Sequence, residues 1–279
     1  MVSFLKRFCR NRGAVLGLVI LLAVIAFALL APTLYPQSPW RPVGRPFLAP
    51  FTMERFPLGT DTLGRNLASG LVHGARVSLM IGVVSTLVAL LIGVPLGAAA
   101  GYAGGFVDDA LMRFTEFFQT IPSFALAIVL VAILQPQLGS IVLAIGVVSW
   151  PPVARLVRGE VLSLKSREYV QAAVTIGQST PRIIFSQVLP NTIAPIIVMG
   201  SLMIGSAILL ESALSFLGLG DPNLMSWGYM VGAGRTRLLD AWWISFFPGF
   251  AIFLTVLALN LAGEGLNDAL NPRLARGRE

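Results

Sequence analysis

The chain is short of the residues on which most protein chemistry rests. Its 279 residues include one cysteine, Cys9, one histidine, His73, and two lysines, Lys6 and Lys165. A single cysteine forms no internal disulfide and a single histidine builds no histidine-based metal site, so redox and zinc chemistry are nearly excluded and no metal ligands are assigned. A phosphate-cradling P-loop needs Gly-x-x-x-x-Gly-Lys-Ser/Thr, and neither Leu5-Lys6 nor Leu164-Lys165 fits it. Charge is scarce as well: 12% of residues are charged, against roughly 25% in an ordinary soluble domain, while 56% are hydrophobic. Such a composition argues against a soluble globular protein. Twenty basic and thirteen acidic residues leave a net charge of +7, which suits a membrane surface or an acidic partner. Nucleic-acid binding would need that charge on one exposed face rather than scattered between apolar runs, so no nucleic-acid partner is expected.

What is present is long apolar sequence. Burying a charge in hydrocarbon costs about 2.5–3.5 kcal/mol on insertion scales, so charge-free windows long enough for about 20 helical residues mark spans. Five such windows occur, at 13–40, 77–107, 117–154, 183–210 and 241–263. The third is long enough for two spans, with Gln135-Pro136-Gln137 as the break, which predicts an all-α integral membrane protein of six transmembrane helices. The basic residues before the first window resemble the start of a signal peptide. The apolar run from Gly13 to Ala31 exceeds the roughly 7–15 residues of a signal core, which favours an uncleaved first helix. With both termini cytoplasmic, 13 basic residues lie inside and seven outside, in agreement with the positive-inside rule. Trp150, Trp242 and Trp243 read equally well as interfacial anchors or as packing residues.

Seven prolines between positions 32 and 57 predict an extended outer loop. Gly93, Gly97 and Gly101, four apart, put a face without side chains on the second span, a seam for close helix approach. Pro95, Pro122, Pro195 and Pro248 predict kinks in their spans. Asp108 and Asp109 are expected to favour a helix N-terminus, and Arg113 and Glu116 to pair on one helix face. His73 is placed in an outer loop as a surface or packing residue. Glu211, at the outer end of the fifth span, is a candidate intramembrane acid; hydrogen bonding to a neighbouring helix accounts for it equally well.

The segment Glu168-Tyr169-Val170-Gln171-Ala172-Ala173-Val174-Thr175-Ile176-Gly177-Gln178-Ser179-Thr180-Pro181-Arg182 reads as two short helices and a turn. Gly177 suits a left-handed helix stop, Ser179 or Thr180 a cap, and Pro181 a first helical turn. Ala172 and Ala173 leave a low, smooth surface, shaped to be gripped by another protein. A DNA-binding helix-turn-helix has a similar outline, but this segment joins membrane spans at both ends and has no domain to hold it.

Gln171-Ala172-Ala173, then Gly177, then Leu189-Pro190 resembles the EAA loop of permease subunits of binding-protein-dependent ABC importers. The chain is similar, over nearly its whole length, to the second permease subunit of the dipeptide, oligopeptide and nickel group. The resemblance runs through Gly13 to Pro32, Gly59-Thr60-Asp61 with Gly64-Arg65, Gly74 to Leu79, Trp150 to Arg158, Leu214 to Gly220, Trp227-Gly228 and Phe247-Pro248-Gly249. Two positions depart from the pattern: Gln171 stands where a glutamate is usual, and Asn66 where an aspartate is usual. Glu168, one turn before Ala172, supplies part of the missing charge, and docking by shape is the safer expectation.

The resemblance implies a type I ABC importer permease in the bacterial cytoplasmic (inner) membrane. Residues 1–73 would form the N-terminal helix and outer loop, 74–266 a five-helix transmembrane domain with its coupling loop at about 155–190, and 267–279 a cytoplasmic tail. The partners implied are a second permease, two ATP-binding subunits that carry ATP and Mg, an extracytoplasmic solute-binding protein and the lipid bilayer. This chain itself would bind no cofactor and catalyse no reaction. Glu168, Tyr169, Gln171, Ala172, Ala173, Gly177 and Pro181 would couple it to an ATPase. Gly59, Thr60, Asp61, Gly64 and Arg65 would either contact the binding protein or fold the loop against its own spans. A proton- or ion-coupled secondary transporter would need ionisable residues inside its spans, where Glu211 is the main candidate, and often shows repeated halves, of which none is evident. A membrane enzyme would need a nucleophile with its base, and Gly177-Gln178-Ser179-Thr180-Pro181 lacks the final glycine of a nucleophile elbow.

Overall fold

The computed structural model describes residues 8–270, so the first seven residues and the tail from 271 onward lie outside the described part. Its helices are α1 (Arg12–Leu34), α2 (Leu67–Ala103), α3 (Gly105–Thr120), α4 (Ser123–Leu134), α5 (Leu138–Lys165), α6 (Glu168–Thr175), α7 (Thr180–Ile183), α8 (Leu189–Phe216), α9 (Trp227–Gly234) and α10 (Trp243–Leu270). A single π turn, Ile184–Val188, joins α7 to α8. Among the described residues, extended pairing is limited to two isolated bridges, Pro42 with Arg65 and Thr60 with Asn66. Five helices are long and apolar enough to cross a membrane, and α3 with α4 makes a sixth, bent span.

The six expected spans are present, but the third is not a kinked rod. α3 and α4 meet at 83°. Pro122 has no N–H to donate and disfavours helical geometry at the residue before it, so Ile121 takes extended angles (φ −87°, ψ 125°) and the helix ends. Pro95, Pro195 and Pro248 stay inside α2, α8 and α10, as do Pro151 and Pro152 inside α5. The break at Gln135-Pro136-Gln137 falls where the sequence places it, with Gln135 at φ 68°.

α2 and α5 form the most extensive helix pair in the molecule. A Cβ on Gly93 would stand 2.6 Å from Val153 Cβ, one on Gly97 2.9 Å from Val157 Cβ, and one on Gly101 2.9 Å from Val161 Cβ. The three valines recur at intervals of four and are fully buried. Knobs of one helix thus fill the side-chain-free stripe of the other, the packing by which apolar helices associate when lipid removes the hydrophobic incentive. α1 uses the same device against α10, where a Cβ on Gly17 would meet the Ala258 carbonyl oxygen at 2.7 Å. The Asn11 side chain caps α1 at Ala14 N (3.1 Å) and donates to Asp268 (3.3 Å), fastening the start of α1 to the end of α10.

Several local expectations are corrected. The proline-rich loop is wound into successive turns rather than extended, because its backbone finds partners such as Val43 N to Gly64 O (2.9 Å) and Thr60 N to Leu48 O (3.1 Å). His73 lies in α2, since the Asn66 side chain caps that helix at Ala68 N (3.0 Å) and starts it before the charge-free window; its Nε2 is 3.0 Å from the Tyr35 carbonyl. Asp108 does lie in the first turn of α3, where the helix N-terminus favours its charge, but it makes no capping bond there and pairs instead with Arg158 of α5 through two contacts of 2.5 and 2.6 Å. Arg113 and Glu116 form no ion pair among the described residues. Trp150 is a packing residue, stacked on Phe114, whereas Trp242 is half exposed and Trp243 buried.

The seam makes a direct prediction. Gly97→Leu drives a side chain into Val157 and the Ala154 carbonyl, and overpacking of this kind costs about 1–3 kcal/mol. Gly139→Ala, where a Cβ meets nothing within 4 Å, leaves stability unchanged. Thermal unfolding in detergent should show a lowered Tm for the first variant alone, and equal melting of the two would contradict the seam.

Candidate functional site

The candidate coupling segment is built on α6. Arg167 is extended (φ −74°, ψ 145°) and Glu168 sits in the first turn, where its charge complements the helix dipole. The helix ends in paired bonds, Gln178 N to Ala173 O (3.1 Å) and Gly177 N to Val174 O (2.9 Å), with Gly177 left-handed at φ 77°. That is a Schellman stop. A Cβ on Gly177 would meet nothing within 4 Å, so backbone conformation and not crowding demands glycine there. Pro181 lies in the first turn of α7, as expected, but the Ser179 side chain makes no capping bond.

The inner face of α6 is held by its own chain. Val170 and Ala173 pack with Val157, Val161, Ile183 and Val188. The expected smooth surface is therefore only half right: Ala172 faces outward and Ala173 inward. The Gln171 side chain donates to the Lys165 carbonyl (2.8 Å), and Lys165 Nζ donates to the Tyr102 carbonyl (2.5 Å), tying the loop to the ends of α5 and α2. Glu168, Gln171, Ala172, Gly177 and Pro181 are exposed. So are four large apolar side chains, Tyr169 (42%), Val174 (48%), Ile176 (74%) and Phe185 (71%). The last three carry no local sequence signal that separates them from buried residues.

At the other end of α2, the residues of the outer motif are turned inward. Thr60, Asp61 and Arg65 are buried. Thr60 Oγ1 donates to the Arg45 carbonyl (2.6 Å) and accepts from Leu48 N (2.9 Å), while its carbonyl accepts from the Trp243 indole (3.1 Å). Asp61 accepts from Leu63 N and Arg65 N (2.9 Å each) and pairs with Arg65 Nε at 2.5 Å. The guanidinium carbon stands 5.1 Å from the centre of the Trp40 ring and 5.8 Å from that of Tyr229. Burial pulls the Arg65 pKa down, but the Asp61 charge and the hydrogen bonds with Tyr229 and Asp61 hold it above its ordinary value. Gly59 and Gly64 are left-handed (φ 82° and 74°) and lie against the Leu48 and Gly44 carbonyls. Of the two roles left open, this geometry is that of folding the loop onto its spans.

Glu211 is enclosed, with 2% of its surface exposed. Ser215 Oγ donates to its carboxylate at 2.8 Å and Ser226 Oγ at 2.7 Å, while the Ser212 hydroxyl donates to the Ile208 carbonyl at 2.8 Å. Ser226 at the same time accepts from Tyr229 N (3.0 Å), so one hydroxyl caps α9 and anchors it to α8. Ser78 Oγ takes Trp227 N (3.0 Å) and the Leu71 carbonyl takes the Trp227 indole (2.8 Å), which holds α9 between α8 and α2. A Cβ on Gly228 would lie 2.8 Å from a Glu211 oxygen. Asp221, in the segment before α9, caps α5 by accepting from Leu138 N (2.9 Å). Among the described residues no three His, Cys, Asp or Glu side chains converge as a metal would require.

Residues 93–276 match the family described as the binding-protein-dependent transport system inner membrane component, and residues 1–64 the N-terminal transmembrane domain of oligopeptide transport permease C. The chain belongs to this permease family. It is 44% identical over 279 residues to the di/tripeptide transport system permease protein DppC of Pseudomonas aeruginosa, covering 98% of this chain and 92% of that protein. Identity to the dipeptide permease proteins DppC is 42% in Bacillus subtilis (97% of this chain, 85% of that protein) and 44% in Escherichia coli K12 (98% and 93%). A chain of the inward-facing MetNI methionine ABC transporter superposes with a TM-score of 0.61 at 16% identity, over 72% of this chain and 96% of that one. This permease therefore has the type I ABC importer permease fold and is a multi-pass protein of a bacterial inner-membrane transport system.

In this permease the sequence motif Leu214-Ser215-Phe216 marks half of the Glu211 anchor; Ser226, from a distant segment, completes it, and Ser78 separately holds Trp227 N. Glu211→Ala strands the hydroxyls of Ser215 and Ser226, at about 1–3 kcal/mol for the lost acceptor, whereas Glu211→Gln keeps an accepting oxygen. In a Cys9→Ser background, Met230→Cys of α9 should label at least about tenfold faster with Glu211→Ala and stay protected with Glu211→Gln. Equal protection in all three would contradict the anchor.

Proposed function

We propose that this permease is one of two membrane halves of an ATP-driven importer for short peptides, with both termini cytoplasmic and residues 168–181 seated on one of two ATP-binding subunits. The exposed face of α6 supports this reading. Tyr169, Val174 and Ile176 stand out beside Ala172 on a short helix fastened at both ends to transmembrane helices, a shape that suits a protein groove and not lipid. Small Ala172 lets the groove wall approach closely, and uncharged Gln171 is already engaged with the Lys165 carbonyl, so docking rests on shape and apolar contact.

Movement follows from the attachments. α6 packs on Val157 and Val161 of α5, and α5 is locked to α2 along the glycine seam. A displacement of α6 by closing ATPases is therefore passed to the α2–α5 pair as a unit. ATP and Mg belong to the partner subunits, which supply the energy. A second permease completes the path, and a solute-binding protein delivers the peptide at the outer face, where Phe51, Met53 and Leu239 are exposed while the Asp61–Arg65 motif is not. The peptide class rests on the names of the relatives.

An ion-coupled carrier would use Glu211 as its exchanging acid, but the Ser215 and Ser226 hydroxyls donate to that carboxylate and engage it in holding α9 to α8. Gly177→Trp, at a left-handed position on the exposed loop, should leave the protein inserted at normal abundance. Peptide uptake should be lost, and binding protein should no longer stimulate ATP hydrolysis. Normal uptake at normal abundance would contradict the coupling assignment.

A further inference from the structure

The cavity of about 860 Å³ at the 83° break, between α2, α5 and α8, has a wall without charge; its polar side chains are Ser85, Thr86, Gln119, Ser123, Ser149 and Ser206. A groove between the end of α1 and the start of α2 is of the opposite kind. It consists of two adjoining hollows of about 260 and 420 Å³ that share Gln37, Arg41, Val43 and Arg55. Leu34 and Tyr35 bound it on the α1 side, and Asn66 with the buried Ser69 on the α2 side.

Neither guanidinium has a countercharge: Arg41 and Arg55 are exposed and form no ion pair among the described residues. Glu54 precedes Arg55 in sequence but does not line the groove. The frame around them is fastened. The Tyr35 carbonyl is 3.0 Å from His73 Nε2 of α2, Arg41 N donates to the Ser38 carbonyl (3.1 Å), and the Arg55 guanidinium carbon stands 5.6 Å from the centre of the buried Phe56 ring. Below the groove the surface turns apolar. Leu30 and Phe27 lie four and seven residues before Leu34 and so share its helix face, and the three are half exposed (50%, 55% and 49%). A basic hollow therefore sits directly above a lipid-facing stripe, at the level where the first span ends.

We propose that this groove binds an anionic phospholipid, with Arg41 and Arg55 on the headgroup phosphate and an acyl chain along Leu34, Leu30 and Phe27. Guanidinium forks match phosphate oxygens, and basic pockets between membrane helices suit anionic headgroups. An acidic protein surface would answer the two charges but not the stripe that leads away from them. The leaflet rests on the importer reading above: with both termini cytoplasmic the groove lies in the outer leaflet, where the positive-inside rule disfavours arginine. A bound phosphate accounts for two such arginines there.

The test is native mass spectrometry of the full-length permease, purified in mild detergent with the chains that accompany it. Added phosphatidylglycerol should leave one more tightly retained lipid than phosphatidylcholine does. Arg41→Gln with Arg55→Gln should weaken its retention at least about tenfold, the loss of two charge-assisted contacts, whereas Arg41→Lys with Arg55→Lys should keep most of it. Equal retention of phosphatidylglycerol by the wild type and the glutamine variant would overturn the site. Equal retention of the two lipids by the wild type would overturn it as well, whether or not the variants fold. Displacement by inorganic phosphate would make the groove a free-anion site, and unchanged lipid with lost affinity for a binding protein would make it a docking surface; either result overturns the proposal. None of these readouts needs ATP or uptake, so a permease that fails to import peptide would refute the importer reading and the leaflet alone.

Discussion

The coupling proposed for this chain depends on two helices being able to touch backbone to backbone. Between lipid-soluble helices, close packing and hydrogen bonds must replace the hydrophobic effect. Gly93, Gly97 and Gly101 of α2 receive Val153, Val157 and Val161 of α5, and those valines belong to the same wall that holds Val170 and Ala173 of α6. The seam therefore lies under α6 at one end and beside the cavity in the middle. At the end of the seam nearest α6 the Asp108–Arg158 pair and the Lys165 bond to Tyr102 add polar fastenings. In the proposed importer the α2–α5 pair would be the lever between the ATPases and the path.

The other elements are arranged around that lever with different degrees of freedom. α9 and the loop from 35 to 66 are clamped by buried polar contacts: Glu211 with its serines, Trp227 with Leu71, Trp243 with Thr60, and Arg65 between Asp61 and two aromatic rings. Buried groups satisfied in this way specify one arrangement, because any slip strands a donor or an acceptor. The α3–α4 joint has no comparable fastening. Pro122, Ser123 and Phe124 are exposed on the cavity side.

Features governed by neighbours in sequence were legible before the structure. Charge-free windows placed the six spans, the glycine spacing placed the seam, and Gly177 placed the stop of α6, because each follows from local helical geometry. Proline shows where that logic ends. Pro95, Pro151, Pro152, Pro195 and Pro248 stay within their helices, whereas Pro122 ends its helix at an extended Ile121, and residue type alone does not separate the two outcomes. The cavity was not legible at all, since its six polar residues come from separate helices and each alone is an ordinary membrane-helix residue. The same holds for Asp108 with Arg158, fifty residues apart, and for Ser226, whose hydroxyl caps one helix and anchors another. The outer motif was visible as a pattern, but its burial was not.

The most direct test of the account is to purify the tagged permease from native membranes in mild detergent, with a photoactivatable residue placed at Ile176 on the exposed face of α6. The account predicts recovery of a second permease and of ATPase subunits with vanadate-sensitive ATP hydrolysis, and a cross-link from position 176 to an ATPase subunit. A permease that purifies alone and still transports when reconstituted would contradict it.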